Sequence, residues 1–593
     1  MKRILATSCL ALMLAACDSG SEAPAPEADT STPDAAETTT PEASTEAAYG
    51  ELLLPLPEDT TTEITAADLG TRISILADDT YEGRGPGQEN GEKAADWVAA
   101  EMERVGLKPA VDGSWFQTVE MVNQTVDADQ SYLTISSAED AAPFVNGEET
   151  VIWTKRQEEM ELDFSDSDVV FVGYGAVAPE YDWNDYEGLD TDGKTVVILV
   201  NDPGFATQDP ELFNGNAMTY YGRWTYKYEE AARQGVTAAI VVHETAPAAY
   251  GWDVVRNSWT GAQADLVRSN GGEDRAMMEG WVTSDVARKL FEEAGLDFDE
   301  MKEAATKPGF KPVDMGELKA SGKIVQTVDK ATSRNVVGMI EGSEAPDEYV
   351  LYTAHWDHLG KAETPANSKT FTFQDDKIYN GAVDNATGVS GLLDIAEKMA
   401  AEGTKRSVLF ASVTLEESGL LGSAYMAENP IVPSHEIVAG INMDGMLPMG
   451  PSKNMVVVGY GASELEDILT GVLEGQDRVV TPDPLPQNGY FYRSDHISYA
   501  KKGIPMLYAD GGDDLREGGK EAGAQLGSEY TNLRYHKPQD EYSENWVLTG
   551  MEEDIQALYE VGDIIANSEE WPTWYEGNEF EAIRKADLEA AGE

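Results

Sequence analysis

Cysteine is almost missing from this 593-residue chain: there are two, Cys9 and Cys17, both near the N-terminus. From residue 18 onward no disulfide can form, so the body must stand on its core and on any metal it holds, whatever the redox compartment. Basic residues are scarce as well, with 42 Lys+Arg against 108 Asp+Glu and a formal net charge of −66. Nucleic-acid binding rests on Lys and Arg meeting phosphates, so this balance argues against it, and equally against docking on an anionic membrane surface. Acids are spread along the whole chain, which reads as a solvated, self-repelling surface. Past the N-terminus no apolar run is long enough to span a bilayer, and there are no internal repeats. Histidine is limited to six residues, at 243, 355, 358, 435, 496 and 536.

What is present begins with MKRILATSCLALMLAACDSG: a basic start, a short apolar run and small residues before Cys17. The run is too short for a stable span and reads as a secretory signal. Leu14-Ala15-Ala16-Cys17 resembles the bacterial lipoprotein cleavage box. That resemblance implies a signal peptide over 1–17, acylation of Cys17 and a lipid anchor to a bacterial membrane, facing the periplasm. Residues 18–49 are mostly Ala, Pro, Thr, Ser and acid. Such a stretch cannot bury enough surface to offset ordering, and the composition predicts a disordered tether.

The length is worth roughly three or four domains. ENGEKAADWVAAEMERVGLKPA (89–110) spaces Ala94, Val98, Met102 and Val105 as a helix that stops at Gly106. A β-rich middle follows: two strand-like runs in 168–205, then a helix ending at Gly235 and a buried strand near 238–244. The later part alternates apolar strands (348–355, 407–415, 436–443, 504–509) with helices. That alternation predicts an α/β fold, doubly wound around a mostly parallel sheet, with its site at the C-terminal strand ends.

The chemistry-bearing residues sit at those ends. One strand runs into His355-Trp356-Asp357-His358, the next into Glu416-Glu417, a third into Asp444, and Asp384 precedes a helix. Tyr535 and His536 come later. Packed carboxylates are costly unless cations offset them. The charges of Asp384, Glu417 and Asp444 with one hydroxide balance two divalent metals, Asp384 being the natural bridge. Two imidazoles complete the shells. Mixed N/O donors suit zinc, with cobalt or manganese as substitutes. Asp357 is placed to orient His355 through its other ring nitrogen.

His355-x-Asp357, Gly381-Ala-Val-Asp384-Asn-Ala-Thr-Gly388, Glu416-Glu417, Asn442-Met-Asp444 and Tyr535-His536 resemble, in this order, the co-catalytic di-zinc aminopeptidase family. That family also includes glutamate carboxypeptidase II-like enzymes and the transferrin receptor. The resemblance spans most of 70–580. It implies a zinc exopeptidase fold, with peptidase segments at 50–139 and 326–593 and a β-rich protease-associated (PA) insert at 140–325. It implies that His355 and Asp444 hold one Zn²⁺, Glu417 and His536 the other, with Asp384 bridging. Glu416 would be the general base for a zinc-bridged hydroxide, Tyr535 an oxyanion donor and Asp384–Asn385 a cis peptide. The implied substrates are peptides trimmed at the N-terminus. The alternatives are a carboxypeptidase of the same family, a one-zinc glutaminyl cyclase and a non-catalytic binding protein on the same fold. Oligomeric state is not legible.

Other features read more plainly. Ser494-Asp495-His496 are consecutive and cannot converge as a hydrolase triad. Tyr492 and Arg493 are candidates for substrate contact. His358 reads as a group supporting the site's ligands or as packed beneath the site, not as a ligand, and His243 and His435 as structural or surface residues. The aromatic stretch YYGRWTYKY (220–228) is a candidate cap over the site or part of the insert's core.

Overall fold

The computed structural model describes residues 49–138, 140–362 and 376–592. The signal peptide, Cys17 and, but for Tyr49, the tether lie outside the described residues. Among the described residues no helix is long and apolar enough to cross a membrane.

One mixed sheet runs through the body. Its first half is ordered Val479–Pro482, Asn454–Val457, Met506–Gly511, Ile437–Asn442, Ala345–His355, Arg406–Val413, Val313–Ile340. The central strand Ala345–His355 pairs in parallel with both neighbours, Arg406–Val413 and Ile437–Asn442, and the latter pairs in parallel with Met506–Gly511. Antiparallel pairings flank this group. Successive residues point to opposite faces, and both faces are covered. Val350, Tyr352, Ala354, Val408 and Phe410 join one core, where the helices Ala66–Leu76, Glu89–Arg104, Gly388–Glu402 and Thr549–Asn567 pack. Leu351, Leu409 and Ala411 face a second core with Ile497 and Tyr499. This is the α/β architecture that the alternating pattern predicts. The helix expected from residue 89 runs Glu89–Arg104.

The second half of the sheet continues through Glu161–Phe171, Thr195–Leu199, Ala238–His243, Met278–Thr283 and Thr150–Trp153. The helix expected before Gly235 runs Trp224–Gln234, and Gly235 takes the left-handed conformation that ends it. Two further apolar cores flank these strands. The 28-residue strand Val313–Ile340 belongs to both halves, pairing with Glu161–Phe171 early and with Phe116–Val126 and Arg406–Val413 later. The expected segment edge at 325/326 therefore falls inside one unbroken strand.

Candidate metal centre

Three adjacent parallel strands deliver their C-terminal ends to one place, as strand order in an open α/β sheet dictates. His355 closes its strand opposite Val413, and the Trp356 N–H bonds the Val413 carbonyl at 2.9 Å, so the 355–358 turn lies against the strand that leads to the glutamates. That chain then passes through Leu415 in the left-handed region (φ +59°) before Glu416 and Glu417. A non-glycine residue there is uncommon and gathers at functional sites; His536 (φ +54°) is a second example.

Asp384 is set by its backbone. The N–H groups of Val383 and Asp384 donate to the buried Asp540 carboxylate at 3.1–3.2 Å. Asn385 ties this turn to the next one: its Nδ2 donates to the Met443 carbonyl at 2.9 Å, and its Oδ1 accepts from Gly445 N–H at 3.1 Å. The Asp384–Asn385 bond is cis, as the resemblance implied. Gly381 must be glycine: it has φ +56°, and a Cβ would stand 2.1 Å from the Asp384 carbonyl oxygen and 2.5 Å from the His358 ring.

Arg84 lies beneath, fully enclosed, and the sequence reading missed it. Its Nε donates to the Trp356 carbonyl at 2.7 Å, its Nη2 to the Gly381 carbonyl at 2.7 Å, and its Nη1 to the carbonyls of Leu76 and Asn380. One guanidinium thus clamps the His355 turn to the Asp384 turn.

The side chains converge. His355 Nε2 lies 3.1 Å from Asp444 Oδ1, 3.3 Å from Asp384 Oδ1 and 3.9 Å from Glu416 Oε2. His536 Nε2 lies 3.2 Å from Asp384 Oδ2 and 3.1 Å from Glu417 Oε2. Asp384 therefore turns one oxygen toward each histidine. The donor atoms of His355, Glu416 and Asp444 lie mutually within 4.8 Å, as do those of His358, Asp384 and Glu417. Ser494 Oγ donates to Asp444 Oδ2 at 2.6 Å, and the ring nitrogens of the buried His496 have no hydrogen-bond partner, so residues 494–496 form no triad. Tyr535 stacks on His536, with ring centroids 3.9 Å apart.

Two details refine the sequence reading. The His355 Nδ1 contact at 3.1 Å is with the main-chain carbonyl of Asp357; the Asp357 carboxylate stands 3.8 Å away and accepts the Glu416 N–H instead, at 3.2 Å. A short main-chain path explains this, because a residue two positions on offers its carbonyl before its side chain can fold back. His358, expected either to support the site or to pack beneath it, lies with Nδ1 against Glu417 Oε1 and so takes the supporting role.

Burial opposes charge on every group here, and the neighbours decide the outcome. Burial disfavours the cationic form of His355, yet Asp444 and Glu416 outweigh it and hold the imidazole well above its usual range. His536 is likewise lifted to about 10 by Glu417 and Asp384, against its burial. Burial would raise Asp384, but hydrogen bonds from His355 and His536 hold it well below the carboxylate range. Glu417, despite burial and Asp384, is brought to about 2 by His536 and His358. Glu416 goes the other way: burial and the Asp444 charge push it well above its usual value, although His355 opposes them. Burial also raises Asp357 to about 8.

The donor set fits divalent metal. Asp384, Glu416, Glu417 and Asp444 crowd four carboxylates together, and Glu417 Oε1 has only His358 Nδ1 against it. Carboxylates packed this closely are costly, and a cation among them removes that cost.

Residues 335–558 match the model of peptidase family M28. That match is to one segment rather than to the whole chain. All five expected metal ligands and Glu416 lie within that segment, whereas Arg84 reaches it from outside. The mouse protein named Aminopeptidase NAALADL1 is 33% identical over 148 residues, 23% of this chain and 17% of the relative. A Probable zinc metalloprotease of Pyrenophora teres f. teres is 36% identical over 109 residues, 18% of this chain and 22% of the relative. The match with the chain thus spans about a fifth of the length of these curated relatives. Among solved structures, the aminopeptidase from Aneurinibacillus sp. strain AM-1 superposes with a TM-score of 0.48 at 17% identity, over 86% of this chain and 96% of that one.

Proposed function

We propose that the chain is a zinc-dependent exopeptidase of the M28 type that removes N-terminal residues from peptides. The observation that carries this reading is Asp384 presenting one oxygen to His355 and the other to His536, beside the paired Glu416 and Glu417. In this reading His355 and Asp444 hold one metal ion, Glu417 and His536 hold a second, and Asp384 lies between. Zinc suits the mixed imidazole and carboxylate donors. The printed names of the mouse and fungal relatives support the reaction class.

Bound metal supplies Lewis-acid polarisation of the scissile carbonyl and acidity to water. The residues do the rest. Glu416, with Oε2 3.9 Å from His355 Nε2 and outside the residues assigned to the metals, is placed to take a proton on a side-chain oxygen from the attacking water and hand it to the leaving amine. Tyr535 keeps its phenolic proton, since desolvation by the surrounding protein and the Asp384 charge push it well above its usual value, although the residue is partly exposed. It can therefore donate to an oxyanion. Asp357 fixes Glu416 through the main chain, and Ser494 fixes Asp444. Residues 140–325 act as a PA-like insert, and acylated Cys17 anchors the body to a membrane on the periplasmic side.

A peptide-library digest read by mass spectrometry, with and without a chelator, tests the reading. N-terminal trimming that stops with chelator is the expected result. C-terminal trimming would make the enzyme a carboxypeptidase, and no cleavage with zinc or cobalt present would overturn it.

A further inference from the structure

A cleft of about 310 Å³ opens between residues 140–325 and residues 326–593. One wall comes from residues 180–221, the other from 459–492 and 575–579. Among the described residues its lining has four carboxylates and seven aromatic rings but no lysine, arginine or histidine. In a chain this acidic the carboxylates alone would mean little. The aromatic walls set the cleft apart, because ring faces attract cations and pack against their methylene stems.

The walls are built before any ligand arrives. Tyr181 stacks on Phe213 (4.4 Å between centroids), which meets Tyr221 edge-on (5.8 Å). Across the cleft, Phe491 and Tyr492 pack at 5.2 Å. The two sides are pinned together by the Met218 N–H on the Pro486 carbonyl at 3.2 Å and by Asn216 Nδ2 on Gln487 Oε1 at 3.0 Å. Each wall holds one carboxylate by a tyrosine hydroxyl: Tyr221 donates to Glu180 Oε1 and Tyr492 to Glu579 Oε1, both at 2.7 Å. Both glutamates are exposed to the cleft. Enclosure by the surrounding protein, with the Glu180 charge adding to it, raises Glu579 to about 7 against its Tyr492 bond and the Lys501 charge outside the lining. The cleft also adjoins the reaction site along the chain: Ser494, two residues beyond Tyr492, bonds Asp444.

We infer that this cleft binds the basic side chain of a peptide, a lysine ammonium or an arginine guanidinium, between Glu180 and Glu579 and against Tyr181 and Tyr221. The binding claim stands alone; its consequence, that basic peptides are the preferred substrates, rests on the peptidase reading.

Calorimetric titration of the full chain carrying Glu416→Gln tests it, with alanine tetrapeptides in which lysine is placed at each position in turn. At one or more positions lysine should tighten binding about tenfold over tetra-alanine, the scale of one cation between rings and carboxylates. The pair Glu180→Gln and Glu579→Gln should abolish that gain and leave tetra-alanine binding unchanged. Tyr181→Leu should reduce it without removing a charge. Equal binding of lysine and alanine peptides, or a gain that survives the double substitution, overturns the inference. Spermidine competing as well as the lysine peptides overturns it too, since the site would then take free amines. Wild-type cleavage of alanine peptides without a lysine gain would sink this site alone. A lysine gain with no cleavage of any peptide would sink the peptidase reading alone.

Discussion

The helix Gly388–Glu402 serves two groups of buried carboxylates that are solved in opposite ways. Asp394 and Glu397 lie on the helix and, with Glu101, surround Arg72. Its guanidinium donates to Glu101 at 2.9 Å, to Glu397 at 2.6 Å and to Asp394. Asp384 lies just before the same helix, among Glu416, Glu417 and Asp444, and among the described residues the only cationic groups in contact there are imidazoles. The nearby Arg84 turns its donors to carbonyls instead. Where the fold needs a fixed cation, the chain supplies an arginine. Where chemistry needs an exchangeable one, it supplies donors and leaves the charge to be brought in.

The sharpest way to break that comparison is Glu416→Gln. It keeps the shape and removes the proton acceptor. Hydrolysis should fall by about 10³-fold, the scale of general-base loss, while metal content by elemental analysis stays the same. Unchanged turnover with metal bound would remove Glu416 from the chemistry.

Arg72→Met comes next. Three carboxylates lose their shared partner, so unfolding free energy should drop by about 3–5 kcal/mol, read by denaturant titration. Metal content should not move. A parallel loss of metal would mean that the two clusters are coupled through the helix rather than separate.

Arg84→Lys tests the boundary between them. Lysine keeps the charge but cannot fork onto the Trp356 and Gly381 carbonyls together. Metal affinity should weaken by about 10–100-fold, as when outer groups that orient ligands are lost, measured by chelator competition. An unchanged affinity would reduce Arg84 to a packing residue.

How far the sequence reached follows from the same division. His355, Glu416, Glu417 and Asp444 were legible because such residues are costly at the ends of apolar strands, whereas Asp384, before a helix, and His536, after one, were legible through the family resemblance of their motifs. The α/β alternation was legible for the same reason: Val350 to Ala354 and Val408 to Ala411 are apolar on both faces. Arg84 and Asp540 were not, because their partners are backbone carbonyls and N–H groups, which carry no residue-type signature. His358 was visible, but its role against Glu417 was left open, since one buried imidazole in sequence looks like any other. The expected edge at 325/326 falls inside Val313–Ile340, a strand whose alternating buried and exposed residues carry no punctuation at that point.

The smallest effect concerns pH, and it sits in the Arg72 cluster. Burial raises Asp394 to about 7, even though Arg72 pulls it down. Its folded value thus lies above its unfolded value near 3.8. The proton-linked stability is then fully present below that unfolded value and is lost as pH rises through about 7. Thermal midpoints should therefore decline between pH 5 and 8, and Asp394→Asn, which stays neutral at every pH, should flatten the slope by about 1–3 °C for a chain of this size. If Asp394→Asn leaves the slope intact, Arg72 holds the carboxylate fully charged. The fixed-cation cluster would then be as strongly ionised as Asp384 and Glu417, and the two ends of the comparison would differ only in who supplies the charge.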